Sequence, residues 1–264
     1  MAVFGISMVR DEADVVEGTL RHMADEVDHL IVADNGSTDG TRDILDRLAR
    51  ELPLTVVDDP EPAYYQSRKM TALADQAAAL RPGETWIVPF DADELWTAEA
   101  DRIRLVLPEL DRPVAQAALT NHFCTSVDPD PAGSDPFRTM VWRQREATRL
   151  PKVAFRWEPG AVIHQGNHGV TLPSGGRAAP VLQVRHFPYR SADQFVRKAV
   201  NGAEAYRRTD LPADQGAHWR AYGEIAERHG VEALADVFRQ HFWYLSPTDS
   251  GMVHDPAAYL RWRQ

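Results

Sequence analysis

Three acidic side chains at the end of an apolar run offer the clearest chemistry in this sequence. Residues 86–90, Trp-Ile-Val-Pro-Phe, have the pattern of a buried strand, and Asp91-Ala-Asp93-Glu94 follow at once. Because Asp91 and Asp93 are two residues apart at a strand end, both side chains can point to the same side. Carboxylate oxygens in this arrangement suit Mg²⁺ or Mn²⁺, completed by water and substrate phosphate. An ordinary acidic turn is the alternative interpretation.

A second acidic motif follows another apolar run. Leu30-Ile-Val-Ala leads into Asp-Asn-Gly-Ser-Thr-Asp-Gly-Thr at residues 34–41. Two turn dipeptides and several candidate helix caps occupy this segment, so the pattern predicts a strand, a loop and a helix. Asp34 then lies at the carboxyl end of a predicted parallel strand, which is where open α/β sheets bind ligands.

Three segments in order resemble family 2 of the glycosyltransferases. They are Val-Arg-Asp-Glu-Ala-Asp at residues 9–14, the motif at residues 33–41, and Phe-Asp-Ala-Asp-Glu at residues 90–94. The resemblance implies a nucleotide-binding domain of the GT-A type whose Asp-x-Asp motif binds a metal. It also implies transfer of a sugar from a nucleoside diphosphate, with inversion. The second half of the chain lacks the Glu-Asp pair that often holds the catalytic base in this family.

The resemblance also implies roles for individual residues. Asp91 and Asp93 would hold the metal, Mn²⁺ or Mg²⁺, and His186, at the end of an apolar run, would complete the metal shell. A structural histidine packed under the last helix is the alternative for His186. The residues that would line the donor pocket are Arg10, Glu12, Asp34 and Asp91.

Two further groups of basic residues suit phosphate contact. Arg68 and Lys69 open the third predicted helix, and an anion is stabilised at a helix N-terminus. Lys152 and Arg156 alternate with apolar residues, so both face one side of a predicted strand. A solvated helix turn and a solvated strand face are the alternatives.

Two histidines in a Gly-flanked segment, His164-Gln-Gly-Asn-His168, are the candidate general bases. Their spacing matches that of a zinc helix, but the glycines and the missing Glu predict a loop. Imidazole titrates near neutrality, so either ring could take the proton of an acceptor hydroxyl; an ordinary polar turn is the alternative. Glu94, Glu158 and Asp193 are the next candidates.

Alternating strands and helices must position these residues, and they predict an α/β fold with a mostly parallel nucleotide-binding sheet flanked by helices. We expect a single domain over residues 1–264, with a nucleotide-sugar half at 1–110 and an acceptor half at 111–264. The second half is expected to be mixed and to end in helices. Its predicted strands are 114–120, 138–143, 153–155, 161–163 and 181–185, and its predicted helices are 192–208, 215–229 and 231–243.

Composition and charge exclude several classes of protein. The chain of 264 residues is 44% hydrophobic, enough for one substantial core. Its net charge is −10, and the first 100 residues hold 21 acidic against 8 basic side chains, so a nucleic acid partner is not expected. The sequence shows no apolar run of ~18 residues, no leader pattern and a single cysteine, from which we expect a cytoplasmic protein without an integral membrane segment.

The expected partners are a nucleoside-diphosphate sugar, with a UDP type favoured, and a small-molecule or glycan acceptor. One rival is a sugar nucleotidyltransferase, which usually needs a Gly-rich loop after the first strand, and residues 9–14 contain no glycine. The other is a non-catalytic nucleotide-sugar-binding protein. That alternative is less favoured because both Asp-x-Asp carboxylates are present.

Overall fold

The computed structural model describes residues 1–99, 101–127 and 135–256. Within these ranges the strands are β1 (Ala2–Val9), β2 (His29–Asp34), β3 (Leu54–Asp58), β4 (Thr85–Pro89), β5 (Glu94–Ala98), β6 (Val114–Thr125), β7 (Trp142–Arg143), β8 (Lys152–Arg156), β9 (Val162–Ile163), β10 (Val170–Thr171), β11 (Ala178–His186), β12 (Trp243–Tyr244) and β13 (Val253–His254). The helices are α1 (Val16–Glu26), α2 (Thr41–Leu48), α3 (Gln66–Leu80), α4 (Ile103–Val106), α5 (Pro136–Thr139), α6 (Ala192–Arg207), α7 (Ala217–His229) and α8 (Ala233–His241).

The first four strands form a parallel sheet in the order β3-β2-β1-β4. Helices α1 and α2 cover one face, where Leu20 and Leu45 are buried, and α3 covers the other with Met70. Strands covered on both faces are expected to be apolar throughout, and β1 is buried along nearly its whole length. The predicted α/β sheet flanked by helices is therefore confirmed.

The same sheet continues into the second half of the chain. Strand β8 pairs antiparallel with β4, and β6 pairs antiparallel with β8. Strand β11 then runs parallel to β6 and antiparallel to β5. Residues from both halves therefore meet around one mixed, helix-flanked sheet, and β11 lies beside the strand that carries Glu94.

The C-terminal helices were predicted within two residues of their ends, and a side-chain cap explains where α6 begins. Ser191 Oγ accepts a hydrogen bond of 3.1 Å from the backbone N–H of Gln194, which satisfies a free donor of the first turn. Helices α6 and α8 pack through Phe195 and Phe238 into a third apolar cluster. This cluster holds α6 against the end of the sheet.

The strand predicted at 138–143 was wrong in its first part. Residues 136–139 form the short helix α5, and only Trp142–Arg143 pair as β7. Asp135 Oδ1 accepts from the N–H of Phe137 at 3.0 Å, and Pro136 occupies the first helical position. Both features favour a helix start and override the apolar run that follows.

A helix needs about 20 predominantly apolar residues to span a bilayer. Across the described ranges, none of the helices combines the length and the apolar character needed to span a membrane.

Candidate active site

A cavity of about 650 Å³ opens where β1 and β4 end and is bordered by α6 and α7. Residues 9–12 line it after β1, and Asp91 and Asp93 line it after β4. Lys198 from α6 and Trp219 from α7 also line it. Asp91 and Asp93 therefore line one cavity at the carboxyl end of the parallel strands, where this type of sheet binds ligands.

Asp91 is held by side chains from three other segments. Lys152 Nζ on β8 donates to its Oδ2 at 2.7 Å. Gln66 Nε2 on α3 and Asn167 Nδ2 donate to its Oδ1 at 3.3 and 3.1 Å. Each oxygen of Asp91 thus has a protein donor, which leaves it fewer lone pairs for an ion than the sequence pattern suggested.

Glu94 is buried and has structural partners rather than access to the cavity. Its Oε1 lies 2.8 Å from Lys152 Nζ, and its Oε2 accepts from Trp96 Nε1 and from the N–H of Asp91, both at 3.1 Å. Burial raises the pKa of Glu94 above its ordinary value, and Lys152 only partly opposes this. Glu94, one of the further candidates for the general base, is absent from the cavity lining. It is therefore poorly placed to reach an acceptor.

Lys152 pairs with both Asp91 and Glu94 and is itself buried. Burial alone would lower the pKa of Lys152, but the two carboxylates outweigh it and raise the pKa above its ordinary value. A charged ammonium therefore joins Asp91 to Glu94. The other basic residue of this strand, Arg156, points elsewhere, and its NH2 donates to the carbonyl of Leu110 at 2.9 Å.

Asp93 is almost completely buried, at 2% exposure, and faces three basic side chains. Lys198 Nζ donates to its Oδ2, Arg190 NH1 lies 3.6 Å from the same oxygen, and His186 Nε2 lies 3.4 Å from Oδ1. Burial alone would raise the pKa of Asp93, but Lys198 and His186 hold it well below its usual range. Asp93 is therefore a carboxylate at neutral pH.

Glu12 lines the cavity, but its carboxylate belongs to an ion network. Arg190 NH2 donates to Glu12 Oε2, and Lys198 Nζ lies 3.0 Å from Glu12 Oε1. Arg190 also binds Asp14 through Nε at 2.6 Å and NH2 at 2.9 Å. The sequence assigned Glu12 to the donor pocket; its pairing with two cations makes it a support for those cations.

His186 is positioned by the register of the sheet. It lies opposite Glu94 on β5 and opposite Asn121 on β6, and the N–H of Phe187 donates to the carbonyl of Asp93 at 2.9 Å. His186 Nδ1 lies 2.8 Å from Asn121 Oδ1. An amide oxygen only accepts, so Nδ1 carries a proton, and Nε2 is the ring nitrogen that faces Asp93.

We tested whether these residues fit the metal that the resemblance implies. No three His, Cys, Asp or Glu side chains converge as a metal cluster among the residues that the structure describes. Asp93 Oδ1 and His186 Nε2 nevertheless face each other across 3.4 Å, with the ring fixed by Asn121. Mg²⁺ commonly takes few protein ligands and completes its shell with water and phosphate, and a hydrogen-bonded second nitrogen is typical of ligating histidines. This pair fits a divalent ion shared with a phosphate ligand.

The two histidines predicted as bases occupy different places. His168 lines the cavity, and its Nδ1 lies 3.0 Å from the carbonyl oxygen of Pro151. His164 is exposed, contacts Thr171 Oγ1 at 2.8 Å and lies outside the cavity lining. Gly166, with φ of 79°, turns the chain between them and separates the two rings.

His168 has the protonation state that a base requires. Burial and the nearby Lys152 lower the pKa of His168 below its ordinary value, so the ring is neutral at neutral pH. A carbonyl oxygen only accepts, so Nδ1 carries the proton and Nε2 can accept one. The reserve candidates Glu158 and Asp193 lie outside the cavity lining.

Of the remaining residues assigned to the donor pocket, one lines the cavity and two lie outside its lining. Arg10 lines the cavity. Asp34 does not, because its Oδ1 accepts from Ser37 Oγ at 2.5 Å, and the next residue, Asn35, reaches the lining instead. Arg68 is 66% exposed and lies over the Tyr65 ring at 4.6 Å, outside the cavity. Neither Asp34 nor Arg68 is placed to contact a ligand in the cavity.

Sequence reasoning missed the two cations that pair with Asp93, Arg190 and Lys198. Lys198 lies within a helix whose pattern of apolar residues gave no sign of a functional side chain, and Arg190 lies in the short segment before it. A usable signal was present in the charges. Lysine occurs only at 69, 152 and 198, and two of these three rare residues pair with Asp91 and Asp93.

The comparison with protein families matches the model for glycosyl transferase family 2 over residues 6–168. This match covers more than half of the chain and includes all three motifs of the first hundred residues. The chain belongs to glycosyl transferase family 2. The family resemblance predicted from the sequence is thereby confirmed.

Individual relatives are more distant. The chain is 32% identical over 189 residues to a TPR repeat-containing protein of Synechococcus elongatus, in a match that covers 69% of this chain and 41% of that protein. It therefore spans less than half the length of this relative. Among solved structures, it is similar to S. aureus TarS, with 12% identity, a TM-score of 0.41, and coverage of 87% of this chain and 73% of that one. A TarS structure in complex with UDP-GlcNAc matches with 14% identity and a TM-score of 0.40, covering 91% and 76%.

Proposed function

We propose that the cavity binds a nucleoside-diphosphate sugar, with UDP as the favoured nucleotide. Its sugar is transferred, with inversion, to a hydroxyl or other nucleophile of a small-molecule or glycan acceptor. One observation carries the proposal: in a chain of glycosyl transferase family 2, the ionised Asp93 and the Nε2 atom of His186 face each other across 3.4 Å beside the cavity. A cation bound by these two side chains would neutralise the negative charge that develops on the leaving diphosphate.

Asp93 and His186 would hold Mn²⁺ or Mg²⁺ together with the donor phosphates. A divalent ion there supplies charge neutralisation to the leaving diphosphate. Arg10 extends from the end of β1 into the same cavity and suits a phosphate oxygen. Asp91 keeps Lys152 at the floor of the cavity, and Asp34 supports the loop that brings Asn35 to its wall.

His168 serves as the general base in this proposal. Its neutral ring has an acceptor nitrogen and lines the same cavity as Asp93, so it can remove the proton from an acceptor hydroxyl as the new bond forms. In an inverting transfer the nucleophile attacks opposite the leaving diphosphate. The base and the diphosphate site must therefore lie on different sides of the sugar.

A binding screen followed by a transfer assay tests the proposal. A ligand that binds the folded protein raises its melting temperature by mass action, so UDP, other nucleoside diphosphates and their sugars should be screened with and without Mn²⁺. We expect that one nucleoside diphosphate stabilises the protein and that the sugar of the corresponding nucleoside-diphosphate sugar is transferred to an acceptor, with release of the nucleoside diphosphate. Turnover of a nucleoside triphosphate with a sugar 1-phosphate, and none of a diphosphate sugar, would overturn it.

A further inference from the structure

Lys198 is the cation that contacts Asp93 and also lines the cavity. Its Nζ lies between Asp93 Oδ2 and Glu12 Oε1, at 3.0 Å from the latter. The side chain is 24% exposed and extends from the first half of α6. The Lys198 ammonium therefore contacts Asp93, the candidate metal ligand. The side chain also lines the cavity in which the donor would bind.

Arg190, the other strong cation beside Asp93, is fixed. Its Nε and NH2 bind Asp14, NH2 also binds Glu12, and NH1 donates to the carbonyl of Phe187 at 2.9 Å. Its side chain is only 2% exposed. If Lys198 left the network, Glu12 would keep its bond to Arg190, so the movement of one flexible side chain would leave no buried carboxylate without a partner.

We propose that Lys198 competes with the divalent ion for Asp93 in the free protein and moves to the donor diphosphate when the donor binds. This inference rests on the proposed function above. An ion bound to Asp93 would lie a few ångströms from the Lys198 ammonium, and like charges at that distance repel strongly in a partly buried site. A diphosphate gives both cations a shared anionic partner and removes the conflict.

This competition predicts that the metal ion binds weakly when it is alone. It also predicts that the metal ion and the diphosphate each increase the affinity of the protein for the other. Linkage requires that any gain in metal affinity caused by the diphosphate equals the gain in diphosphate affinity caused by the metal. Lys198 would be the source of this coupling. Lys198 on α6 would therefore cause the metal ion and the donor to bind together.

Calorimetric titration of Mn²⁺ without nucleotide tests the competition directly. In K198M, which removes the ammonium and keeps an unbranched side chain, we expect Mn²⁺ to bind about tenfold or more tightly than in the native protein. K198R keeps the charge and should not tighten binding. R197M is the matched control, since Arg197 is the adjacent cavity-lining cation of the same helix and has no contact with Asp93 among the described ion pairs; we expect less than a threefold change.

A second titration, of UDP in saturating Mn²⁺, separates this inference from the proposed function. We expect K198M to bind UDP about tenfold more weakly and to lose most of the enhancement between Mn²⁺ and UDP. Unchanged Mn²⁺ affinity in K198M, confirmed in K198Q, overturns the competition even if UDP binds the native protein. Tighter Mn²⁺ binding in K198M with no UDP binding to any form supports the competition and counts against the proposed donor. Thermal melting checks that each variant is folded.

Discussion

At the scale of single residues, the acidic motif acts through its partners. Asp91 and Asp93 are two positions apart, yet Asp91 pairs with the buried Lys152, while Asp93 faces His186 and the partly exposed Lys198. Both residues are aspartates, so their different roles come from the side chains around them. Asp93 is the one with an oxygen directed at an imidazole nitrogen, Nε2 of His186.

The first prediction concerns Asp93. D93N removes the charge that would hold the cation at the leaving diphosphate, so we expect sugar transfer to fall ~100-fold or more, the size of effect seen for single electrostatic contributors. Initial-rate measurements with a diphosphate sugar give the comparison. D43N, which alters an exposed carboxylate on α2 outside the cavity lining, should change the rate less than about threefold. Full activity in D93N, or in the native protein with EDTA, would remove the cation from the proposal.

The second prediction separates the two histidines of the 164–168 loop. H168A should slow transfer by about 100-fold while donor affinity stays near the native value, because the ring acts on the acceptor proton. H164A should be close to native, since its ring lies outside the cavity. Transfer rates and calorimetric donor affinities, measured for both variants, test this prediction. Equal rates in H168A and the native protein would place the base elsewhere.

At the scale of elements, sheet register and helix packing assemble the site. Pairing of β11 with β5 and β6 puts His186 between Glu94 and Asn121. Helix α6 then closes the cavity, and it approaches α7 closely because Gly202 and Gly223 lie where the two helices touch. The position of Lys198 therefore depends on the docking of α6 against α7.

The third prediction tests this helix contact. Alanine normally stabilises a helix relative to glycine by roughly 1 kcal/mol. In G202A, however, the new Cβ would lie 2.7 Å from Cδ2 and Cε3 of Trp219, so we expect the free energy of unfolding to fall by about 1–3 kcal/mol. Urea unfolding measures the change. The double variant G202A/W219L should recover much of the loss, and a G202A protein more stable than the native one would contradict the packing argument.

At the scale of the whole molecule, ionisable groups outside the cavity also connect distant segments. His122 on β6 is buried, stacks on Phe187 at 4.3 Å, and has Nδ1 2.7 Å from the carbonyl of Met140. Asp255 receives Arg143 Nε at 2.6 Å and Arg185 Nε at 2.8 Å. Burial is the main cause that lowers the pKa of His122 to about 4.

The fourth prediction follows from the titration of His122. Its pKa is lower in the folded chain than the ordinary value of about 6.5, so the unfolded chain binds the proton first as the pH falls. Stability from the neutral ring is present above about pH 6.5 and is lost as the pH falls towards 4, by about 3 kcal/mol in all.

Urea unfolding of the native protein and of H122N between pH 7 and pH 4 measures this loss. Asparagine keeps a donor for the Met140 carbonyl but does not titrate, so the difference between the two stability curves isolates the ring. We expect the native curve to be steeper in this range. Parallel curves would show that His122 does not titrate between these limits.

Local patterns in the sequence determined the α/β class, the family, the strand ends that carry Asp91, Asp93 and His186, and the C-terminal helices. Apolar periodicity, turn residues and caps act between neighbours in the chain, so they can be read without a structure. Only the tertiary structure decided that Lys152 and Lys198, 61 and 105 residues away from their carboxylate partners, neutralise the motif. It also decided which histidine of the 164–168 loop reaches the cavity, because sheet register and helix docking bring together side chains whose spacing in the sequence carries no trace of the contact.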